Sequence, residues 1–287
     1  MRLGYFGPAG TFTHAALLAS PRAAGADAVP FATERETILA AQAGRVDAAL
    51  VPIENALEGG VNATLDTLAL DAEGARIVGE EVLPVSHALI ARPGVAEADL
   101  EAVISHPQPL GQCRRFLAET LPGRRLVAAT STAEAVRTVA EAAQPWAAIG
   151  TAAAAELHGC AVLRAGIEDE HGNETRFVWV TGPGGDPFGR NGAERPAPGA
   201  SAKTSIVFHG AGDASPGWLV RCLSEFAFRG INLVRIESRP LKRRLGHYLF
   251  LVDFEGHEDE PRVAEAITGL HAHCEQVRVL GSYTSAT

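Results

Sequence analysis

The chain has 287 residues, 46% of them hydrophobic and 21% charged, with a formal net charge of -9. That length allows one large or two ordinary domains, each with its own core, and the acidic balance leaves no overall basic field to hold nucleic acid. No apolar run approaches the roughly 20 residues of a membrane span, and a strand is expected at the very start with no signal-peptide pattern before it, so a cytoplasmic location is expected.

Residues 1–6 read as a short strand, and Gly7-Pro8-Ala9-Gly10-Thr11-Phe12-Thr13-His14 as a glycine-rich turn feeding a helix over 15–19. Such a turn aims free backbone N–H groups and the positive end of the helix dipole beyond the strand, which suits a carboxylate. It lacks the spacing of a Walker or Rossmann loop, so no nucleotide is expected. A strand over 28–31 follows, and the capping box Thr33-Glu34-Arg35-Glu36 opens a helix to residue 43. Residues 46–51 are apolar enough for a central strand of a parallel sheet. They run into a polar segment, 52–64, whose paired glycines let backbone approach a ligand and whose Asn55 and Asn62 are either contacts or turn and cap residues.

Residues 77–91 read as extended structure crossing to a second lobe. A strand over 101–105 leads into His106-Pro107-Gln108, the start of a helix with Leu110, Cys113, Leu117 and Leu121 at helical spacing and Gln108 and Gln112 on one face. A strand at 126–129, a helix capped at Ser131-Thr132-Ala133-Glu134, a strand at 146–149 and a helix through 157 complete the excursion. Repeated strand-turn-helix units predict parallel sheets with ligands outside their carboxyl edges. Two facing lobes, the second over about residues 77–160, predict an α/β fold of the hinge-connected, periplasmic-binding-protein kind.

Asn173-Glu174-Thr175-Arg176-Phe177 then leads into Val178-Trp179-Val180, a buried strand closed by Gly182-Pro183-Gly184-Gly185. Thr175 and Arg176 sit where loop becomes strand, a usual place for chemistry, although threonine is also an ordinary strand former. Arg176 has the fork that binds carboxylates, but neighbours in a strand face opposite ways. If Thr175 faces a cleft, Arg176 either reaches a ligand or braces the lobe.

Residues 183–202 lose periodicity and read as a linker. Beyond them, strands and helices in the order βαββαβ predict a ferredoxin-like domain over 203–287, with no nucleophile–base pair and therefore a binding role. Cys113, Cys160, Cys222 and Cys274 form no CxxC pair, and His271 and His273 share no helix face, so neither a metal nor a disulfide framework is expected. His106, a lone histidine before a proline, is either a general acid or a loop-orienting residue.

Taken in order, these segments resemble the motifs of the prephenate dehydratase family, in its monofunctional bacterial form with a C-terminal ACT regulatory domain, over nearly the whole chain. The opening turn is similar to the family's first motif, and Val51-Pro52-Ile53-Glu54-Asn55 with Gly59, Asn62 and Thr64 to its second. Ile104-Ser105-His106-Pro107-Gln108 with Gln112-Cys113 resembles the third and Ser131-Thr132-Ala133 the fourth. Thr175-Arg176-Phe177 resembles the motif whose threonine the family uses in catalysis. Pro216-Gly217-Trp218-Leu219 and Glu237-Ser238-Arg239-Pro240 resemble its two phenylalanine-effector motifs. One departure is Trp218, where the family usually has alanine: an indole there fills the effector pocket, reshapes it, or turns away.

The resemblance implies a catalytic domain over 1–182 and an ACT domain over 203–287. It implies conversion of prephenate to phenylpyruvate, water and carbon dioxide without a cofactor, in phenylalanine biosynthesis, by a homodimer or homotetramer. Thr175 is the expected donor to the departing hydroxyl. Substrate contacts are expected from Thr11, Asn55, Ser105, Gln112, Ser131, Thr132, Arg176 and Phe177, with the helix starts at Thr11, Ser131 and Gly150 as carboxylate seats. Phenylalanine is expected near Gly217, Trp218, Leu219, Glu237, Ser238 and Arg239. The alternatives are an arogenate dehydratase and a small-molecule sensor without catalysis.

Overall fold

The computed structural model describes residues 1–185, 187–188, 201–210 and 215–286, so most of the expected linker over 183–202 lies outside the described residues. The chain opens with β1 (Arg2–Phe6), α1 (Phe12–Ala19), β2 (Asp27–Phe31), α2 (Glu34–Gln42), β3 (Ala48–Asn55), β4 (Gly59–Gly60), α3 (Asn62–Asp66) and β5 (Arg76–Pro84). It crosses to β6 (Ala88–Ala91), β7 (Ala102–Ser105), α4 (Pro107–Gln112), α5 (Arg114–Thr120), β8 (Arg125–Ala128), α6 (Thr132–Glu141), β9 (Trp146–Gly150), α7 (Ala152–Leu157) and β10 (Ala161–Ala165). It returns in β11 (Glu174–Thr181) and continues as β12 (Ala202–His209), α8 (Trp218–Ala227), β13 (Leu233–Pro240), β14 (Tyr248–Glu255), α9 (Pro261–His271) and β15 (Gln276–Thr284).

Three sheets result, in the orders β2-β1-β3-β11-β5 with β4 beside β3, β10-β6-β9-β7-β8, and β13-β14-β12-β15. The first two are mixed, not parallel. In the first, β1 runs parallel to β2 and β3, whereas β11 lies antiparallel to both β3 and β5. The reason is the route of the chain: β11 re-enters from the second sheet at the edge where β3 ends, so Thr175 pairs with Asn55 across the two strands. The third sheet is antiparallel throughout and carries α8 and α9.

Strand β11 is the shared wall of two cores. Phe177 and Trp179 pack with Leu3, Tyr5, Ala16 and Leu17 on one side. Val178 and Val180 pack on the other with Val207, Leu249, Leu251, Leu280 and Tyr283 of the third sheet. This period-2 division follows from the pleat. It means the third sheet is seated directly on the back of the first. At Gly281 of β15 any side chain would run into the backbone carbonyl of Ile77 on β5, so glycine is what allows the approach.

The helix predicted after His106 is broken. Cys113 leaves helical geometry and a second helix begins, because the Asp169 carboxylate accepts from the N–H groups of Arg115 (2.7 Å) and Phe116 (3.2 Å), an N-terminal cap supplied from far along the chain. Among the described residues no helix is long and apolar enough to cross a membrane.

Candidate active site

A cavity of about 400 Å³ opens between the first two sheets. Strand ends and helix starts converge on it: Thr11 and Phe12 from the opening turn, Asn55, Thr175 and Phe177 from the ends of β3 and β11, and Gln112, Ser131 and Thr132 from the second sheet's side. Gly10 holds the two sides together. Its carbonyl accepts from Thr151 Oγ1 at 2.9 Å, its φ of +89° suits only glycine, and an added Cβ would lie 3.1 Å from that of Ala154. The carboxylate seat expected at Gly150 is not on the cavity wall.

The central pair is Thr175 and Asn55. Asn55 Oδ1 accepts from the backbone N–H of Leu57 (3.1 Å) and Glu58 (3.0 Å), which fixes the amide's orientation. Its Nδ2 is thereby aimed at Thr175 Oγ1 (2.9 Å) and the Glu174 carbonyl (3.2 Å). A hydroxyl has one proton to give. With Asn55 donating to its oxygen, Thr175 keeps that proton for a group in the cleft, and the donated bond makes it a stronger donor.

Two helix starts frame the pair. Thr11 caps α1 by accepting from His14 N–H (3.3 Å), and Ser131 caps α6 by accepting from Glu134 N–H (3.0 Å). In each case the cap satisfies the third amide and leaves the first amides, which have no partner within the helix, for an anion. No lysine or arginine is among the described residues lining the cavity, and its acidic member is Glu34 at the start of α2. Among the described residues no cluster of His, Cys, Asp and Glu has the makeup of a metal site.

His87 and Asn173 on the wall were not among the expected site residues. His87 is 1% exposed, with Nε2 2.8 Å from Gln112 Oε1 and its ring edge-on to Phe12 at 5.5 Å. Burial pushes its pKa below the ordinary imidazole value against the opposing pull of Gln112 and Glu168, so it is neutral near pH 7. Its Nδ1, and Oδ1 of Asn173, are buried with no hydrogen-bond partner among the described residues, and both residues line the cavity. The signal for His87 was a histidine directly ahead of the apolar run Ala88-Leu89-Ile90-Ala91, where an unpaired ring is costly unless it has a task. Gln112 Nε2 also reaches Glu58 Oε1 at 3.3 Å, a tie across the cleft.

Two expected substrate contacts lie elsewhere. Ser105 is fully buried and donates to the Ile149 carbonyl at 2.7 Å, turned into the sheet instead of the cavity. Arg176 faces away from Thr175, as strand alternation requires, and is 9% exposed. Its guanidinium binds Glu54 (3.1 Å), Glu80 (3.1 Å) and, through Nη2, Asp253 of the third sheet, so of its two readings the brace is the one realised. Burial opposes the charge on Arg176, but Asp253 and the neighbouring acidic groups hold its pKa above the ordinary value. Burial likewise works against an ionised Asp253, and Arg176 and Arg235 still keep its carboxyl below the usual range.

On the third sheet, Gly217, Trp218 and Leu219 line a hollow of about 360 Å³ with Tyr248 and Phe250. The Trp218 indole donates to the His273 carbonyl at 2.6 Å and packs beside Phe208 and Phe250, so it forms one wall. The other expected effector residues are not on that hollow. Arg239 forks onto Asp66 at 2.8 and 3.3 Å, Ser238 is exposed, and Glu237 lies over Gly60, where an added Cβ would sit 3.2 Å from its carboxylate. Because alternate residues of β13 face opposite ways, Arg235, Glu237 and Arg239 meet the first sheet's loops while Ser238 meets solvent.

The family model described as prephenate dehydratase matches residues 3–183. A prephenate dehydratase of Mycobacteroides abscessus is 43% identical over 292 aligned positions, covering 100% of this chain and 91% of that protein. The crystal structure of a prephenate dehydratase from Arthrobacter aurescens in complex with L-Phe matches with a TM-score of 0.89 at 41% identity, covering 100% of this chain and 90% of that one. A structure described as a novel type of quorum quenching acylase matches with a TM-score of 0.85 at 32% identity, covering 100% and 98%.

Proposed function

The chain belongs to the prephenate dehydratase family, and from that premise we propose that Thr175, oriented by Asn55, releases the ring hydroxyl of prephenate in the cavity between the first two sheets. The enzyme is a carbon–oxygen lyase of aromatic amino-acid biosynthesis, yielding phenylpyruvate, water and carbon dioxide. As the ring carboxylate leaves as carbon dioxide, the electrons of its carbon–carbon bond complete the aromatic ring. The ring C–O bond breaks at the same time, and its electrons depart with oxygen, which takes up a proton as water. Aromatisation drives the step, so the site has only to stabilise charge on the departing oxygen.

The observation that carries this reading is the 2.9 Å bond from Asn55 Nδ2 to Thr175 Oγ1, which leaves the hydroxyl proton for the leaving group. A threonine is too weak an acid to surrender that proton outright, but an oriented donor to developing charge in a dry site is worth on the order of 3 kcal/mol. The two substrate carboxylates sit at the starts of α1 and α6, where Thr11, Ser131 and Thr132 border unpaired amides and the helix dipole favours an anion.

Residues 1–182 are read as a two-lobed, periplasmic-binding-protein-like catalytic domain, and 203–287 as a ferredoxin-like ACT domain, a reading the βαββαβ order supports. The hollow at Gly217, Trp218 and Leu219 is the effector seat, and the L-Phe complex of the Arthrobacter relative supports phenylalanine as its ligand. A cytoplasmic dimer or tetramer completes this reading. An acyl-transfer site needs a nucleophile on a base; Thr175 is instead bonded to the Asn55 amide, which is no base, although Thr130 on the same wall is bonded to the Glu134 carboxylate. Arogenate is a second substrate to consider because Glu34 on the wall would pair with its ammonium. Incubating the purified protein with prephenate and following phenylpyruvate absorbance in alkali, and with arogenate and following phenylalanine by chromatography, tests both, and no product from either would overturn the assignment.

A further inference from the structure

We propose that Arg176 is a positioning residue through which Asp253 of the third sheet holds the Thr175–Asn55 pair in working geometry. This rests on the catalytic reading of Thr175 given above. Across β11 and β3, Thr175 pairs with Asn55 and Arg176 with Glu54, so two neighbouring cross-strand pairs occupy opposite faces of the same two strands. The front pair is bonded in the cleft at 2.9 Å, and the back pair is bonded at 3.1 Å.

The back pair is gripped by the third sheet. Asp253 on β14 takes Arg176 Nη2 and lies 3.5 Å from Arg235 Nη1 of β13, while Arg235 Nε lies 3.8 Å from Glu54. Glu80 closes the cluster, between Arg176 at 3.1 Å and Lys203 at 2.8 Å. Cations and carboxylates balance, and apart from Glu54 every side chain in the cluster is at most 10% exposed. Buried charges tolerate one arrangement, because any shift strands a charge in a low-dielectric interior. The cluster is therefore a stiff clamp.

A clamp is needed at this place. The β11–β3 register shifts between Arg176 and Phe177, so the regular ladder that would hold Thr175 opposite Asn55 is interrupted one residue away. Such irregularities re-aim side chains beside functional sites, and catalytic groups lose about a hundredfold when misplaced by about 1 Å. Adhesion between the sheets does not require the charges, since Val178, Val180, Leu249, Leu251 and Tyr283 already supply an apolar seam.

The test is a double-mutant cycle between Asp253→Asn and Thr175→Ala, read as kcat and KM for prephenate on the full chain. Expected: Asp253→Asn lowers kcat about tenfold with KM unchanged in the parent, and lowers it no further once Thr175→Ala has removed the hydroxyl it positions. An equal fall in both backgrounds, or no fall in the parent, overturns the proposal. Normal turnover by Thr175→Ala alone instead overturns the catalytic reading beneath it, so the two failures are distinct. If Asp253→Asn does not fold, Arg235→Lys, which keeps the charge but loses the fork between Glu54 and Asp253, carries the same cycle with the same outcomes.

Discussion

Replacing Thr175 by alanine is the sharpest perturbation available. The methyl group left behind neither donates nor accepts, so the leaving oxygen loses its donor while the helix starts at Thr11 and Ser131 are untouched. Loss of one preorganised donor to developing charge costs about 2.7–4 kcal/mol, so kcat is expected to fall by a factor of about 10²–10³. KM should change little, because that donor matters most in the transition state. The fold should tolerate the change: Asn55 Nδ2 retains the Glu174 carbonyl at 3.2 Å, and the lost neutral bond is worth about 1 kcal/mol of stability. Initial rates at saturating prephenate, read as phenylpyruvate absorbance in alkali, give the number, and Thr175→Ser should recover most of it. A Thr175→Ala enzyme that turns over at close to the parent rate would refute the reasoning, since nothing else in the scheme touches the departing oxygen.

Asn55→Asp should cost about as much, roughly a hundredfold in kcat, because a carboxylate would draw the Thr175 proton to itself and add a negative charge beside an anionic substrate; a rate near the parent's would mean the hydroxyl does not depend on the amide. L-Phenylalanine is expected to lower the initial rate, and a flat response would leave the hollow at Trp218 without its assigned effector. His14 and His87 are both held below the ordinary imidazole pKa, chiefly by burial. As pH falls below about 6.5 the unfolded chain therefore binds protons that the folded one refuses, and the stability these residues contribute, fully present above that value, is lost through their depressed folded pKa values. Thermal melts should show Tm dropping from about pH 7.5 to about pH 5.5, with a shallower drop in His87→Gln; identical slopes would remove His87 as a cause.

Local rules carried the sequence reading as far as local rules reach. Caps at Thr11, Thr33 and Ser131 lie where hydroxyl residues precede helices, each accepting from the amide three residues on. Strand alternation anticipated that Thr175 and Arg176 would part company. Strand direction is not written in any single segment, which is why β11 reads as one more buried strand but lies antiparallel to β3. Ser105 looks the same in sequence whether its hydroxyl points outward or, as here, to the Ile149 carbonyl. The break at Cys113 depends on Asp169, and the fate of Arg176 on Glu54, Glu80 and Asp253, partners from separate parts of the chain that only the assembled sheets bring together.

A cleft built from dipoles instead of full charges has a consequence for traffic. Helix-terminal fields fade within a turn, so in the proposed reading they hold a doubly negative guest once it arrives but cannot draw it from a distance, and the chain's net charge of -9 gently repels it. Capture is left to diffusion and shape, and raising ionic strength should ease it by masking that repulsion. The same short reach lets the singly charged product drift free once aromatisation has removed one of its two anchors.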